Sequence, residues 1–77
     1  MIMSVYKIML RNEEVKDFVT KASECDFDID VSYNHLTVDA KSILGVFSMD
    51  LRQILTVTCN GFSAEFDRYL DRYAVAC

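Results

Sequence analysis

The chain predicts an α+β fold with the element order β-α-β-β-α-β-α, and two kinds of periodicity carry that prediction. Apolar and polar residues alternate over residues 28–40 and 55–59, which is the period of a half-buried strand. Apolar residues recur at three- and four-residue spacing over residues 15–22 and 66–73, which is the period of an amphipathic helix. The absence of proline argues against disordered linkers between these segments.

The first strand and the first helix are predicted in the N-terminal third. Residues 4–10 have the composition of a strand. Asn12 is a good N-cap residue, so a helix is expected from Asn12 to about Cys25. Its apolar stripe consists of Val15, Phe18, Val19 and Ala22.

A β-hairpin and a short helix are predicted in the middle of the chain. Asn34-His35 is typical of a two-residue turn between strands at residues 28–33 and 36–40. Ser42 stands where an N-cap is expected, so a helix is predicted from Ser42 to about Asp50. Gly45 weakens this helix by up to ~1 kcal/mol relative to alanine, unless it serves close packing.

The last strand and the last helix are predicted from residue 55 onwards. Leu55, Val57 and Cys59 alternate with threonines, and Asn60-Gly61 ends the strand. Ser63 caps a final helix, and Phe62 is expected to pack back on that helix as a hydrophobic staple. The apolar stripe of this helix consists of Phe66, Tyr69, Leu70 and Tyr73.

Length and composition limit the classes of function. Seventy-seven residues predict a single domain, 1–77, with a small core. A net charge of −4 without a basic stripe makes nucleic acid a poor partner. No run approaches the ~18 apolar residues of a membrane span, and residues 1–10 lack the features of a signal peptide. We therefore predict a cytoplasmic protein without membrane contact.

The cysteines and the single histidine argue against a metal site. The three cysteines are widely spaced without a C-x-x-C motif, and His35 is the only histidine. Cys25 and Cys59 are expected to lie in the core as small apolar residues, and Cys77 is expected to be exposed. The sequence predicts no metal, no cofactor and no catalytic residue, because it contains no carboxylate pair or nucleophile–base pair.

The hairpin and the short helix resemble HPr, the small phosphocarrier of the bacterial sugar phosphotransferase system. The resemblance is carried by the run YN-x-x-x-V-x-x-KSI-x-G-V-x-S, which spans residues 33–48. It implies an open-faced β-sandwich, in which three helices cover one face of a four-stranded antiparallel sheet. The element order predicted from periodicity agrees with this fold.

The loop that carries the family's chemistry is changed in this chain. In HPr the loop after the first strand contains GLHARPA or GIHARPA, and its histidine carries the phosphoryl group. The matching residues here place Arg11 at the histidine position, Asn12 after it, Glu13 at the arginine position and Glu14 beyond. A guanidinium stays protonated and offers no nucleophile, and the glutamates repel phosphate. The resemblance therefore predicts a degenerate phosphocarrier loop.

A second family feature is retained at Ser42. The residue matches the serine that an ATP-dependent kinase phosphorylates in HPr of many Gram-positive bacteria, and Lys41 and Gly45 flank it in the same way. The family residues matching Ile43, Leu44 and Phe47 form a docking patch for partner proteins. An unmodified N-cap at Ser42 and core positions for these apolar residues are the alternative interpretations.

A precedent in the family is the group of catabolite-repression HPr-like proteins, which lack the histidine and keep the serine. The resemblance implies HPr kinase or a transcriptional regulator as the protein partner. The chain departs from the group at Asp50, where a glycine is usual, and in a connection over residues 52–54 that is about two residues shorter.

Two other functions remain open at this point. One is a phosphocarrier that uses a different residue, and His35 in the hairpin turn is the candidate. The other is a structural role in self-association, in which a homodimer forms through an apolar first strand at the sheet edge.

Overall fold

Four strands and three helices make up the computed structural model, which describes residues 3–75. The strands are β1 (Ser4–Ile8), β2 (Ile29–Tyr33), β3 (Leu36–Asp39) and β4 (Leu55–Cys59). The helices are α1 (Val15–Ser23), α2 (Ile43–Phe47) and α3 (Ala64–Asp71), and a 3₁₀ turn, Asn12–Glu14, precedes α1. Within residues 3–75, no helix is long and apolar enough to cross a bilayer.

The strands form one antiparallel sheet in the order β1-β4-β2-β3. Alternation along β4 separates its two faces, because Leu55, Val57 and Cys59 are buried against the helices while Thr56 and Thr58 are only partly covered. The three helices cover one face and leave the other open. The α+β open-faced sandwich predicted from the sequence is confirmed.

The core lies between the helices and the inner face of the sheet. Helix α1 contributes Val15, Phe18 and Ala22 from the predicted stripe, whereas Val19 is only partly buried. The buried residues are Ile8, Leu10, Val15, Phe18, Ala22, Ile29, Val31, Ala40, Val46, Met49, Leu55, Val57, Cys59, Phe66, Tyr69 and Leu70. Cys59 is in the core as predicted, whereas Cys25 is only partly buried.

The boundaries of the first helical segment differ from the prediction. Arg11, rather than Asn12, is the N-cap residue, and its backbone N–H donates to the Glu14 carboxylate. This contact closes a 3₁₀ turn before the α-helical hydrogen bonds of α1 begin. The α-helix itself ends at Ser23, two residues before the predicted end.

The short helix also ends earlier than predicted. Ser42 caps α2 as expected, but the helix ends at Phe47 because the Ser48 hydroxyl donates back to the Gly45 carbonyl. Asp50 then forms a local turn in which its carboxylate accepts from the Arg52 backbone N–H at 3.1 Å. The predicted helix to about Asp50 was wrong, since these local hydrogen bonds replace another helical turn.

The last helix is capped as predicted and is followed by an unpredicted segment. Ser63 Oγ accepts from the Phe66 N–H at 3.2 Å, whereas Phe62 remains 54% exposed and forms no staple. After α3 the chain turns back along the outer edge of β1. The Met9 N–H donates to the Tyr73 carbonyl at 3.1 Å, and the Val75 N–H donates to the Lys7 carbonyl at 3.0 Å. Residue 77, whose exposure was predicted, lies outside the described residues.

Candidate functional site

The loop before α1 is closed by its own side chains. The Arg11 backbone N–H donates to Glu14 Oε1 at 2.8 Å, and Arg11 Nη2 lies 3.5 Å from Glu14 Oε2. The Arg11 side chain is 75% exposed, so its pairing with Glu14 is weak in energy. Glu14 nevertheless occupies the backbone N–H of Arg11 at the start of this turn.

Charges of both signs surround this loop. A cavity of about 750 Å³ lies beside it, between the loop and the segments that contain Arg52 and Arg72. Arg52 is already paired with Asp50, with Nε and Oδ1 3.1 Å apart. Asp50, whose pKa is held below its ordinary value by hydrogen bonds from Arg52, stays ionised at neutral pH. With Glu13 also lining the cavity, the arginines do not form an isolated cationic site.

His35 occupies the hairpin turn and is exposed. Asn34, before it, adopts a left-handed backbone with φ 56°, which asparagine tolerates better than most residues. The two-residue turn between β2 and β3 is therefore formed as predicted. His35 belongs to a different loop from Arg11–Glu14.

Ser42 is held at the start of α2 by both its side chain and its backbone. Its Oγ accepts from the Gly45 N–H at 3.1 Å, and its own N–H donates to the Asp39 carbonyl at 3.0 Å. Gly45 is used for close packing here. A Cβ at this position would lie 3.2 Å from Ser42 Oγ and 3.3 Å from Val38 Cβ, which is tighter than ordinary contact.

Lys41 joins the Ser42 segment to the end of α1, a role that the sequence did not predict. Its Nζ donates to the Cys25 carbonyl at 2.8 Å, and its backbone N–H donates to Asp39 Oδ1 at 2.9 Å. Cys25 lies two residues beyond the end of α1, where the positive charge of a lysine also complements the negative end of the helix dipole. Lys41 thereby fixes the position of Ser42 relative to two other elements, through a contact between residues far apart in the chain.

Three apolar side chains of α2 point away from the core. Ile43, Leu44 and Phe47 are 39%, 80% and 47% exposed, and we call them the α2 patch. Val46 and Met49, which are 0% and 5% exposed, form the buried side of the same segment. A helix of five residues has one face for the core, so its other apolar residues are left in solvent beside Ser42.

The described thiols are poor nucleophiles. Burial raises the pKa of Cys59 to about 11, and burial also raises the pKa of Cys25. Both thiols are therefore protonated at neutral pH. Within residues 3–75, no group of three or more histidine, cysteine or acidic side chains is arranged to hold a metal ion.

Comparisons with known proteins agree with this architecture. The family model described as the PTS HPr component phosphorylation site matches residues 10–66. A phosphocarrier protein HPr from Bacillus anthracis is 28% identical, with a TM-score of 0.69 and 96% of each chain covered. HPr-C-His from Thermoanaerobacter tengcongensis is 26% identical, with a TM-score of 0.68, and the match covers 94% of this chain and 89% of that one. No curated protein matches the sequence significantly.

The fold and the matched sequence therefore lead to one conclusion. The family model covers both the loop around Arg11 and the segment around Ser42. The chain belongs to the HPr family of the sugar phosphotransferase system.

Proposed function

We propose that this chain is a non-catalytic HPr-like regulatory module that binds a partner protein through the α2 patch, under the control of phosphorylation at Ser42. The observation that carries the proposal is the position of the patch. Ile43, Leu44 and Phe47 are exposed directly after Ser42 in the chain. A phosphoryl group on Ser42 would place about two negative charges beside this apolar surface.

The state of Ser42 is compatible with modification. Its side chain is partly exposed, and its Oγ acts as an acceptor for the Gly45 N–H, a role that a phosphate ester oxygen also fills. Phosphorylation would therefore keep the N-cap and leave α2 folded. The signal would be a change of charge at the patch, while the backbone stays in place.

Transfer of a phosphoryl group through the Arg11 loop is disfavoured for two reasons. Arg11 supplies no lone pair for nucleophilic attack. Glu14 holds the Arg11 N–H and, with Glu13, adds negative charge where a phosphate would approach. The alternative carrier, His35, belongs to an exposed turn on another loop. These facts favour binding and regulation over phosphocarrier activity.

Phosphorylation is tested by intact-mass analysis after incubation with ATP and an HPr serine kinase. We expect one added phosphoryl group on the wild-type chain and none on Ser42→Ala, with an authentic HPr in the same tube as positive control. A labelled HPr beside an unlabelled wild-type chain would contradict control through Ser42. Incubation with phosphoenolpyruvate and the first enzyme of the phosphotransferase system should leave the mass unchanged.

The patch is tested separately, with a catabolite regulator of the LacI type as the probe, which the family resemblance suggests. We expect phosphorylated wild type to bind and Leu44→Asn to lose at least tenfold in affinity, measured by isothermal titration calorimetry. The matched control is Leu36→Asn, because Leu36 is 50% exposed on β3, outside the α2 patch. Equal losses in both variants would contradict the assignment of the patch.

Self-association through β1 is the weaker alternative. The Tyr73–Val75 segment already occupies part of the outer edge of this strand. Less of the edge remains to pair with a second chain than the sequence suggested.

A further inference from the structure

Lys41 brings a positive charge into the turn that precedes α2. Its Nζ donates to the Cys25 carbonyl at 2.8 Å, which holds the side chain in a partly buried position. An ammonium group has three N–H donors, and this contact uses one of them. Neither of the two ion pairs among residues 3–75 involves Lys41. Within the described residues its charge therefore has no carboxylate partner, and two of its donors are left for another acceptor.

Negative groups adjoin Lys41 and Ser42. Asp39 lies in the same turn, where its Oδ1 accepts from the Lys41 backbone N–H at 2.9 Å and its carbonyl accepts from the Ser42 N–H at 3.0 Å. Cys25 lies beyond the C-terminal end of α1, which is the negative end of the helix dipole. A phosphoryl group on Ser42 would add about two negative charges here. Lys41 is adjacent to Ser42 in the chain, so the ammonium group on its four-carbon stem is within reach of that phosphoryl group.

We propose that the Lys41 ammonium group pairs with a phosphoryl group on Ser42 while it keeps its bond to the Cys25 carbonyl, and so links the modified serine to the end of α1. The inference rests on the proposed function, because it concerns the phosphorylated form of Ser42. Hydrogen bonds between charged groups are roughly twice as strong as neutral ones, so the two free donors of Lys41 favour phosphate oxygens over water. Keeping the Cys25 contact avoids leaving a partly buried carbonyl without a donor.

The test uses the full chain with phosphoserine built in at position 42 by chemical synthesis, so it needs no kinase. A kinase that fails to label Ser42 counts against the proposed function alone, whereas a missing pair counts against this inference alone. Lys41→Met removes the ammonium group and keeps an unbranched side chain. The matched control is Lys16→Met, which removes the same charge from an exposed position at the opposite end of α1 from Cys25. Circular dichroism checks the folding of each chain.

Phosphorus NMR measures the pairing as the pH at which the phosphoserine passes from one negative charge to two. A nearby positive charge favours the doubly charged form. We therefore expect the midpoint of this titration to lie about 0.5 pH unit lower in the phosphorylated wild-type chain than in its Lys41→Met variant. Lys16→Met should keep the wild-type midpoint, because salt screens exposed charges beyond a Debye length. Equal midpoints in wild type and Lys41→Met would overturn the proposal, as would an equal displacement by Lys16→Met.

Hydrogen exchange at the Cys25 amide reports on the link to α1. This amide donates to the Ala22 carbonyl at 3.1 Å, one peptide unit before the carbonyl that Lys41 holds. We expect phosphorylation to slow its exchange about twofold more in wild type than in Lys41→Met. Phosphorylation that slows the exchange equally in both chains, or that speeds it in wild type, would overturn the proposal.

A measurement on the wild-type chain covers the case in which Lys41→Met does not fold. The nitrogen resonance of Lys41 Nζ should follow the titration of the phosphoserine, while that of Lys16 Nζ stays constant over the same pH range. A Lys41 resonance that is as constant as that of Lys16 would overturn the proposal.

Discussion

Replacing Gly61 with alanine tests whether packing or backbone freedom explains the glycine after β4. A Cβ at this position would lie 2.7 Å from the Cγ and Cδ2 atoms of Phe27 and 3.1 Å from its Cβ. Carbon atoms prefer separations of about 3.5–4.0 Å, so the methyl group cannot be accommodated unless the ring moves. No glycine within residues 3–75 has a positive φ, so the backbone at Gly61 is open to alanine.

The neighbouring backbone offers little relief from this overlap. The Asn60 N–H donates to the Asp28 carbonyl at 2.8 Å, which holds the two segments together. Phe27 must therefore rotate outward and give up its partial burial. Losing part of the ~1.5–3 kcal/mol of a buried phenylalanine, together with the ~1–3 kcal/mol typical of overpacking, predicts a destabilisation of about 2 kcal/mol. In a domain of this size that lowers Tm by roughly 8–16 °C.

Urea unfolding followed by circular dichroism measures the effect in two backgrounds. We expect Gly61→Ala to cost about 2 kcal/mol in the wild-type chain and less than about 0.5 kcal/mol in Phe27→Ala, where the ring is absent. The sign of the change in the free energy of unfolding also distinguishes the two explanations. An alanine that fits a compatible backbone stabilises by about 0.4–1 kcal/mol. Equal costs in both backgrounds, or a stabilised Gly61→Ala, would refute the packing explanation.

Three further predictions concern hydrogen bonds seen in the structure. Burial and the Asp67 carboxylate raise the pKa of Tyr6 to about 12. The protonated Tyr6 therefore contributes its full stabilisation below the ordinary pKa of 10, and this stabilisation is lost as the pH rises from 10 to 12. We expect the free energy of unfolding of Tyr6→Phe, measured by urea titration at a series of pH values, to fall less steeply over this range than that of wild type. Ser42→Ala should lower the free energy of unfolding by about 1 kcal/mol, because the N-cap is lost. Ser42→Asp can also cap the helix, so its free energy of unfolding should lie within about 0.5 kcal/mol of the wild-type value. An equal loss of stability in both variants would argue against the hydrogen bond from the Gly45 N–H. Lys41→Met should cost about 1–2 kcal/mol, because it leaves the carbonyl at the end of α1 without its charged donor, and a thermal melt unchanged within error would contradict this.

The sequence predicted the elements whose order is set by short-range pattern. The hairpin followed from alternation and from a turn residue that tolerates a left-handed backbone. The alternation of Leu55, Val57 and Cys59 with threonines predicted the strand that the structure shows as β4. The serines at the starts of α2 and α3 are caps in the structure, each accepting from the N–H three residues on. Such features depend on neighbours within a few residues, so they can be recognised in the chain alone.

The candidate site was only partly predictable. Arg11 and Ser42 could be proposed as site residues from the sequence, because each proposal compares one residue type with the motif of the family. The closure of the loop by Glu14 needed the geometry of a 3₁₀ turn. Which apolar residues of α2 are exposed also needed the structure, since that depends on how the helix packs against its neighbours.

Residue types and their periods by themselves determined the fold class and the two serine caps, because these follow from periodicity and from local hydrogen bonding. Only the tertiary structure decided the contacts between distant parts of the chain. Met9 is hydrogen-bonded to Tyr73, Lys41 reaches the carbonyl of Cys25, and the Phe27 ring requires a glycine at position 61. These contacts form only when the sheet and the helices have brought the partners together, and no local period encodes which partners will meet.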